Sequence, residues 1–379
     1  MAITPVDLSV TNITATSVRL NWVQWTPLQL FLAGEQGAFY VPRPVVNGVQ
    51  ALFQDAAGTV PVTADGDPDG LMIDQSPNSI NAAQSTSSAR PTYNANPDRL
   101  SLDKVDDALI ITVPTGGWNG TMVLATDDGT ASYGISIPAG AYELGGQYFP
   151  GDAIVGAVFR DGSLTTKEKA DAEAYFVGNG ATASYGAVAD FNNFWRNRSE
   201  LTSFPLIDTS SGTNFSFSWF GCSNLENFPV IDVSSGTNFA FSWFDCDSLT
   251  SFPILNTSQG INFSGAWRQC RSLTSFPLIN TSNGSDFFRT WSSCQSLASF
   301  PGNFFDNIKG GNLEDAFDST NLNEDSIDGI LVSLVTSGIA TGTRIFDQSG
   351  GSAPSVGTGR PAIDTLRSRG WSVTVTGGY

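Results

Sequence analysis

The chain of 379 residues contains no histidine. This absence excludes the Ser-His-Asp and Cys-His forms of nucleophilic catalysis, and it removes the most common metal ligand of proteins. Charge is also scarce, at 14% of residues, and it is one-sided: 36 acidic against 18 basic residues give a net charge of −18. No basic run offsets this charge, so we expect neither nucleic acid nor an anionic membrane as a partner.

Long apolar runs are missing as well. No stretch of about 18 apolar residues occurs, so we expect no membrane insertion. Residues 1–23 lack the basic segment and apolar core of a signal peptide, which predicts synthesis in the cytoplasm without export by that route. The 40% hydrophobic content predicts a packed protein, and 39 glycines favour turns and strands over long helices.

A repeat of 24 residues dominates the second half of the chain. Three kinds of side chain recur at fixed positions, and we expect successive repeats to stack so that these side chains form buried structural ladders. The ladder positions are Trp195, Trp219, Trp243, Trp267 and Trp291; Phe204, Phe228, Phe252, Phe276 and Phe300; and Cys222, Cys246, Cys270 and Cys294.

The cysteines all occupy one repeat position. In a stack they would lie about 5 Å apart with their side chains parallel, which disfavours disulfides and cannot supply a tetrahedral zinc site. We therefore predict free, buried thiols. A second ladder of Asp and Asn, each followed two residues later by Ser, predicts backbone hydrogen bonds at the corner of each repeat. It comprises Asp208, Asp232, Asn256 and Asn280.

Two groups of residues are candidates for binding. Asp65, Asp67 and Asp69 alternate as at the start of an EF-hand-like calcium loop, but Ser76 stands where that loop has its bidentate Glu, and an Asp- and Gly-rich turn explains the pattern equally. Around the tryptophans, varied residues lie beside the constant ones. We predict that these varied positions are exposed and bind a ligand, the alternative being a plain polar surface on which Asp247 and Arg271 pair. The candidates are Phe220, Phe244, Asp245, Asp247, Arg268 and Arg271.

The repeat resembles a known family. In "NFAFSWFDCDSLTSFP", residues 238–253, the positions of Asn238, Phe239, Trp243, Cys246 and Leu249 match the pattern of BspA-like leucine-rich repeats, with aromatic residues in place of the usual methionines. The resemblance implies a leucine-rich-repeat solenoid with 24-residue coils. Members of that family are mostly surface adhesins and ligand-binding modules, so the resemblance also implies a role in binding.

The flanking regions resemble other proteins over shorter stretches. Residues 8–22 resemble the first two strands of a fibronectin type III domain, and residues 100–114 and 154–176 resemble the start and end of a laminin-G-like jelly roll. Residues 30–74 and 325–375 resemble segments of tailed-phage structural proteins. The predicted strands are 100–102, 108–113, 120–125, 132–137 and 153–160, and the predicted helices are 163–178, 324–338 and 361–370. We expect Ser163 or Thr165 to cap the first helix, and Ala170, Ala174 and Phe176 to help form its apolar face.

The expected fold is therefore multidomain, with a β-rich N-terminal part that includes a short β-sandwich, a solenoid, and an α/β C-terminal cap. The predicted parts are a docking β segment (1–24), a jelly-roll-like domain (25–162), a capping helix (163–183), the leucine-rich-repeat solenoid (184–323) and the cap (324–379).

These resemblances, together with the missing signal peptide, imply a non-enzymatic phage fibre or receptor-binding protein on the virion surface. Its partners would be other virion proteins, bound through the N-terminal part, and a host surface glycan or protein; a homotrimer is one possible assembly. A structural capsid or tail decoration protein and a polysaccharide depolymerase are the alternatives. No carboxylate pair stands out for glycoside hydrolysis among 36 acidic residues, and no cofactor is expected.

Overall fold

The computed structural model describes the backbone of residues 6–14, 17–24, 26–147, 149–183 and 185–379, with side chains from residue 26 onward. The chain divides into two compact units, Met1–Tyr185 and Gly186–Tyr379. Within the described residues it is β-rich, with several open sheets and three α-helices. None of these helices is long and apolar enough to cross a membrane.

The N-terminal segment is a β-hairpin of β1 (Val6–Thr14) and β2 (Ser17–Gln24). Leu8 lies opposite Trp22 and Val10 opposite Leu20, and the register shifts between Val10 and Ile13. The prediction of two paired strands is therefore confirmed. The side chains of these two strands lie outside the described part of the structure.

The rest of the first unit contains many short strands and one α-helix. In chain order they are β3 (Gly37–Tyr40), β4 (Val45–Val46), β5 (Val49–Gln50), β6 (Leu52–Phe53), β7 (Leu71–Met72), β8 (Ala82–Ala83), β9 (Thr92–Ala95), β10 (Asp98–Ser101), β11 (Ala108–Val113), β12 (Trp118–Thr126), β13 (Thr130–Ile137), β14 (Gly140–Gly145), β15 (Ala153–Asp161) and α1 (Thr166–Gly178). The five strands predicted between residues 100 and 160 are confirmed within about two residues at each end.

Most of these strands belong to two antiparallel sheets. One has the order β13-β12-β15-β10-β9, with β3 also paired to β15, and the other has the order β14-β11-β8-β7-β6. Successive side chains of a strand point to opposite faces, so each face of β12 and β15 contacts a different layer. The cross-strand pair Met122–Phe159 meets the second sheet, where Phe159 lies 5.6 Å from the Tyr142 ring. The neighbouring pair Val123–Val158 lies in the core shared with α1.

Helix α1 packs on that second face. Its N-terminus is a capping box in which the Thr165 side chain accepts from the Glu168 N–H and the Glu168 carboxylate accepts from Thr165, as predicted for this helix start. Ala172 and Phe176 are buried in the core. The predicted apolar face was wrong at Ala170, which is exposed.

The second unit begins with the repeats, which carry little regular secondary structure apart from β16 (Leu201–Ser203). Successive repeats are joined by parallel bridges between equivalent residues, such as Asn214 with Asn238 and Asn238 with Asn262. The backbone N–H of Trp219 donates to the carbonyl of Ser242 at 2.8 Å, and the equivalent bond from Trp243 also measures 2.8 Å. Backbone groups of each repeat are therefore satisfied by hydrogen bonds to the next repeat.

Stacked aromatic rings form the interior of these repeats. The tryptophan rings are nearly parallel, at 5.5, 5.2, 5.2 and 5.8 Å along the series from Trp195 to Trp291. Each tryptophan also meets a phenylalanine edge to face, for example Trp219 with Phe228 at 4.8 Å. Both geometries are favourable for aromatic pairs.

The chain ends in an α/β region: β17 (Gly311–Phe317), α2 (Glu324–Ser337), β18 (Arg344–Gln348), α3 (Gly359–Ser368) and β19 (Ser372–Thr374). The three strands form a parallel sheet in the order β17-β18-β19. Phe317 stacks on Trp291 at 5.0 Å and so continues the tryptophan series. The predicted helices 324–338 and 361–370 are confirmed within about two residues.

Candidate functional site

The ladder side chains lie in the interior of the second unit. All the tryptophans, cysteines and phenylalanines of the three ladders are buried. The prediction of free, buried thiols is confirmed. Each Sγ donates to a tryptophan carbonyl, for example Cys246 to Trp219 at 3.2 Å, and burial raises the pKa of all four thiols. A thiol held protonated inside a core packs as a small hydrophobic group.

The corner ladder has the predicted hydrogen bonds. The Asp232 carboxylate accepts from the backbone N–H of Ser234 at 2.9 Å, and Asn280 accepts from Ser282 at 3.0 Å. These are Asx turns, which close each corner locally.

The three aspartates of the calcium candidate are not brought together within the part of the chain described. Asp67 accepts from the N–H groups of Thr63 and Ala64, and Asp65 accepts from Ala95. Asp69 is fully buried instead. Two of the three carboxylates thus fasten the turn, which is the alternative explanation that the sequence left open.

The six candidate ligand residues are half-buried and lie in adjacent repeats. Phe220 and Phe244 stack face to face, with ring centroids 4.5 Å apart and planes 7° from parallel. Arg271 is 3.3 Å from the Asp245 carboxylate and 3.1 Å from that of Asp247, so the ion pair with Asp247 that belongs to the alternative of a plain polar surface is present. All three ionic side chains are about 40% exposed, so this pairing adds little stability.

Two further phenylalanines, which the sequence did not indicate, complete the cluster. Phe217 and Phe241 stack at 5.1 Å beside the first pair. We call Phe217, Phe220, Phe241 and Phe244 the Phe patch. All four rings are half-buried in the described structure.

The backbone at Phe217 and Phe241 is unusual. Their φ angles are +57° and +55°, in the left-handed region that bulky side chains rarely adopt. The equivalent position in other repeats is Asn193, Gly265 and Arg289, and all of these are left-handed too. The repeat imposes this conformation, and Gly or Asn would satisfy it at lower cost. Phe217 and Phe241 therefore occupy this position against the preference of the backbone, as Arg289 does.

Arginines lie at both ends of the Phe patch. The Arg196 guanidinium is 4.5 Å from the Phe220 ring centroid and 5.1 Å from that of Phe217. The Arg268 guanidinium is 5.5 Å from the Phe244 ring. One row therefore reads Arg196, Phe220, Phe244, Arg268, with one side chain from each successive repeat.

A second surface feature is a row of exposed aliphatic side chains that follows the prolines of the repeats. Leu206, Val230, Ile254 and Leu278 are 77%, 65%, 68% and 45% exposed. A contiguous apolar row on a protein surface is typical of a contact with another protein.

Comparisons of the chain with protein-family models, with curated proteins and with solved structures found no match.

Proposed function

We propose that the chain is a non-enzymatic recognition protein of a tailed-phage virion, a fibre or receptor-binding protein that binds a host surface component through the Phe patch. The observation that carries the proposal is the pair of left-handed phenylalanines, Phe217 and Phe241. The repeat requires the left-handed backbone but not a bulky side chain on it, and local strain of this kind is concentrated at functional sites. The virion assignment is supported by the resemblance of residues 30–74 and 325–375 to phage structural proteins.

We further infer that the repeats form a leucine-rich-repeat solenoid. Parallel bridges between equivalent residues and continuous aromatic ladders support this inference. In such a fold the Phe patch belongs to a surface that presents one side chain per repeat at a spacing of about 5 Å. A ligand would meet several repeats at once, and many copies on a particle would multiply weak contacts.

Adsorption of virus particles to host cells tests the recognition role. Replacing Phe220 and Phe244 by Ala should lower the adsorption rate by at least about tenfold, because aromatic side chains dominate binding energies. Phe288→Ala is the matched control, since Phe288 is half-buried in the same segment of another repeat but lies outside the Phe patch. Particle assembly should be normal in both. Equal adsorption by wild type and the patch variant would contradict the proposal.

The virion assignment has its own test. Immunogold labelling of intact particles with serum against residues 184–379 should mark tail tips or protruding fibres. Label on no particle would refute the assignment.

The aliphatic row favours a second candidate, a structural decoration protein that contacts other virion proteins. In that case Val230→Ser with Ile254→Ser should reduce incorporation into particles, while adsorption by the particles that form is unchanged. The two variant sets therefore distinguish recognition from decoration.

A further inference from the structure

The stacking of the Phe patch determines which parts of its rings a ligand can reach. Phe220 has Phe244 on one face and Arg196 on the other, and Phe244 has Arg268 on its second face. Phe241 has Phe217 on one face and Gly265 on the other, where an added Cβ would lie 2.5 Å from the ring. With their faces covered, these half-buried rings offer mainly their edges to solvent.

Ring edges and ring faces attract different groups. The face of an aromatic ring is electron-rich and the edge is electron-poor. A neutral sugar that stacks its C–H groups on an aromatic side chain needs an open face, and here the faces are occupied. The exposed edges instead favour electron-rich groups such as carboxylate oxygens.

Arg268 provides a cation that no acidic residue of the described structure pairs with. Within the described residues its guanidinium has no hydrogen-bond or ion-pair partner, and its Nε is buried without an acceptor. The other arginines nearby differ: Arg271 is paired with Asp245 and Asp247, and Arg289 bonds Asp315 through two nitrogens at 3.0 and 2.9 Å. A cation–π contact uses the charge of Arg268 and leaves its N–H groups as donors.

Resting on the proposed function, we propose that Arg268 and the neighbouring edge of the Phe patch bind the carboxylate of an acidic sugar, such as a uronic acid, in the host surface glycan. The planar guanidinium matches a carboxylate with two parallel hydrogen bonds. Gln269, which follows Arg268 in the chain, has a half-buried polar side chain that suits sugar hydroxyls. The net charge of −18 disfavours a densely charged polyanion, so isolated acidic sugars among neutral ones fit best.

Binding of the immobilised full chain to uronic-acid oligosaccharides, each paired with its carboxyl-reduced neutral form, tests the proposal. The wild type should bind the acidic member of at least one pair. Its affinity for the carboxyl-reduced member of that pair should be lower by about tenfold or more. Arg268→Met should cause a similar loss with the acidic form only. The affinity of Arg268→Lys for the acidic form should lie between those of the wild type and Arg268→Met, because lysine keeps the positive charge but lacks the planar guanidinium that donates two parallel hydrogen bonds. Arg289→Met is the control, since Arg289 is already paired, and it should bind like the wild type.

Each other outcome overturns the ligand class. Equal binding of acidic and reduced forms, binding to no member of any pair, or binding to polyglutamate in preference to every sugar would each refute it. Thermal unfolding of Arg268→Met and Arg268→Lys shows whether either variant fails to fold. Particle adsorption, measured with the same variants, separates the two proposals. If adsorption depends on Phe244 but sugar carboxylates have no effect on binding, only the ligand class is refuted. If adsorption is unchanged by substitution of both Phe244 and Arg268, the recognition role itself is refuted.

Discussion

At the scale of single residues, Asp69 ties the stability of the first unit to pH. Its side chain is fully buried, and among the described residues neither carboxylate oxygen has a hydrogen-bond partner of normal geometry. Burial raises the pKa of this carboxyl to about 8, whereas an unfolded aspartate titrates near 3.9. Between these values the unfolded state releases a proton that the folded state keeps, so stability falls as pH rises from about 4 to 8.

We therefore expect Asp69→Asn to be more stable than the wild type at pH 8, by a few kcal/mol, and nearly equal to it at pH 4. Urea unfolding of the first unit at both pH values measures the difference. Asp67→Asn is the matched control, and its expected effect on stability has the opposite sign. Hydrogen bonds from Thr63 and Ala64 lower the pKa of Asp67, so this variant should lose stability at pH 8. A wild type as stable as Asp69→Asn at pH 8 would contradict the assignment.

Residue-level features of the Phe patch show what a sequence conveys and what it does not. Phe220 and Phe244 could be selected because they vary beside constant ladder residues. Phe217 and Phe241 vary in the same way at their own repeat position, with Asn193, Gly265 and Arg289 as counterparts. The sequence does not state that the backbone at this position is left-handed. Only Asn193 and Gly265, residue types that adopt this conformation readily, indicate it. Comparing that position across repeats could have identified both rings.

At the scale of elements, the C-terminal α/β region covers the last ring of the tryptophan series. Phe317 of β17 lies parallel to Trp291 and also meets Phe300 edge to face at 5.0 Å. Terminal repeats must hide their outer apolar layer. We expect Phe317→Ala to reduce the free energy of unfolding of the second unit by about 3–5 kcal/mol.

Chemical denaturation followed by tryptophan fluorescence measures this loss. The control is Val332→Ala on α2, a partly exposed side chain whose truncation should cost far less. If Phe317→Ala were no more destabilising than Val332→Ala, the ring would not contribute to the end of the stack.

Regular elements were predictable where their periodicity was strong. Helix α2 has Ile327, Ile330, Leu331 and Leu334 on one buried face, and α1 begins with a capping box. The two-residue strands between residues 45 and 83 were not predicted, because pairs that short carry no alternation and depend on distant partners. The face of α1 was misjudged at Ala170, since alanines at several positions do not define a single apolar stripe.

At the scale of the whole molecule, the candidate site depends on which charges remain unpaired once repeats lie side by side. Arg268 and Arg271 are three residues apart and equally visible in the sequence. Only the contacts between repeats show that Arg271 is neutralised by two aspartates while Arg268 lies over Phe244 without an acid partner among the described residues. The residues of the candidate site could therefore be selected from the repeat, but the pairing of their charges could not.

The two units should also respond differently to alkaline pH. All four cysteines lie between residues 222 and 294, in the second unit, and burial raises the pKa of each, that of Cys294 to about 12. Unfolded cysteine titrates near 8.5. Above that pH the unfolded state loses protons that the folded state keeps, so the stability of the second unit should fall by up to about 1.4 kcal/mol per pH unit for each thiol.

Urea unfolding between pH 8 and 10 measures this slope, and Cys294→Ala tests its cause. The variant loses some packing at every pH, but its slope should be shallower than that of the wild type, by about 1 kcal/mol per pH unit averaged over this range. Burial also raises the pKa of tyrosines in the first unit, such as Tyr40 and Tyr185. These tyrosines add a pH dependence to stability only as unfolded tyrosine begins to titrate near pH 10. The first unit should therefore keep its stability over most of this range. Equal slopes for the wild type and Cys294→Ala would mean that the thiol ladder is not the group that titrates.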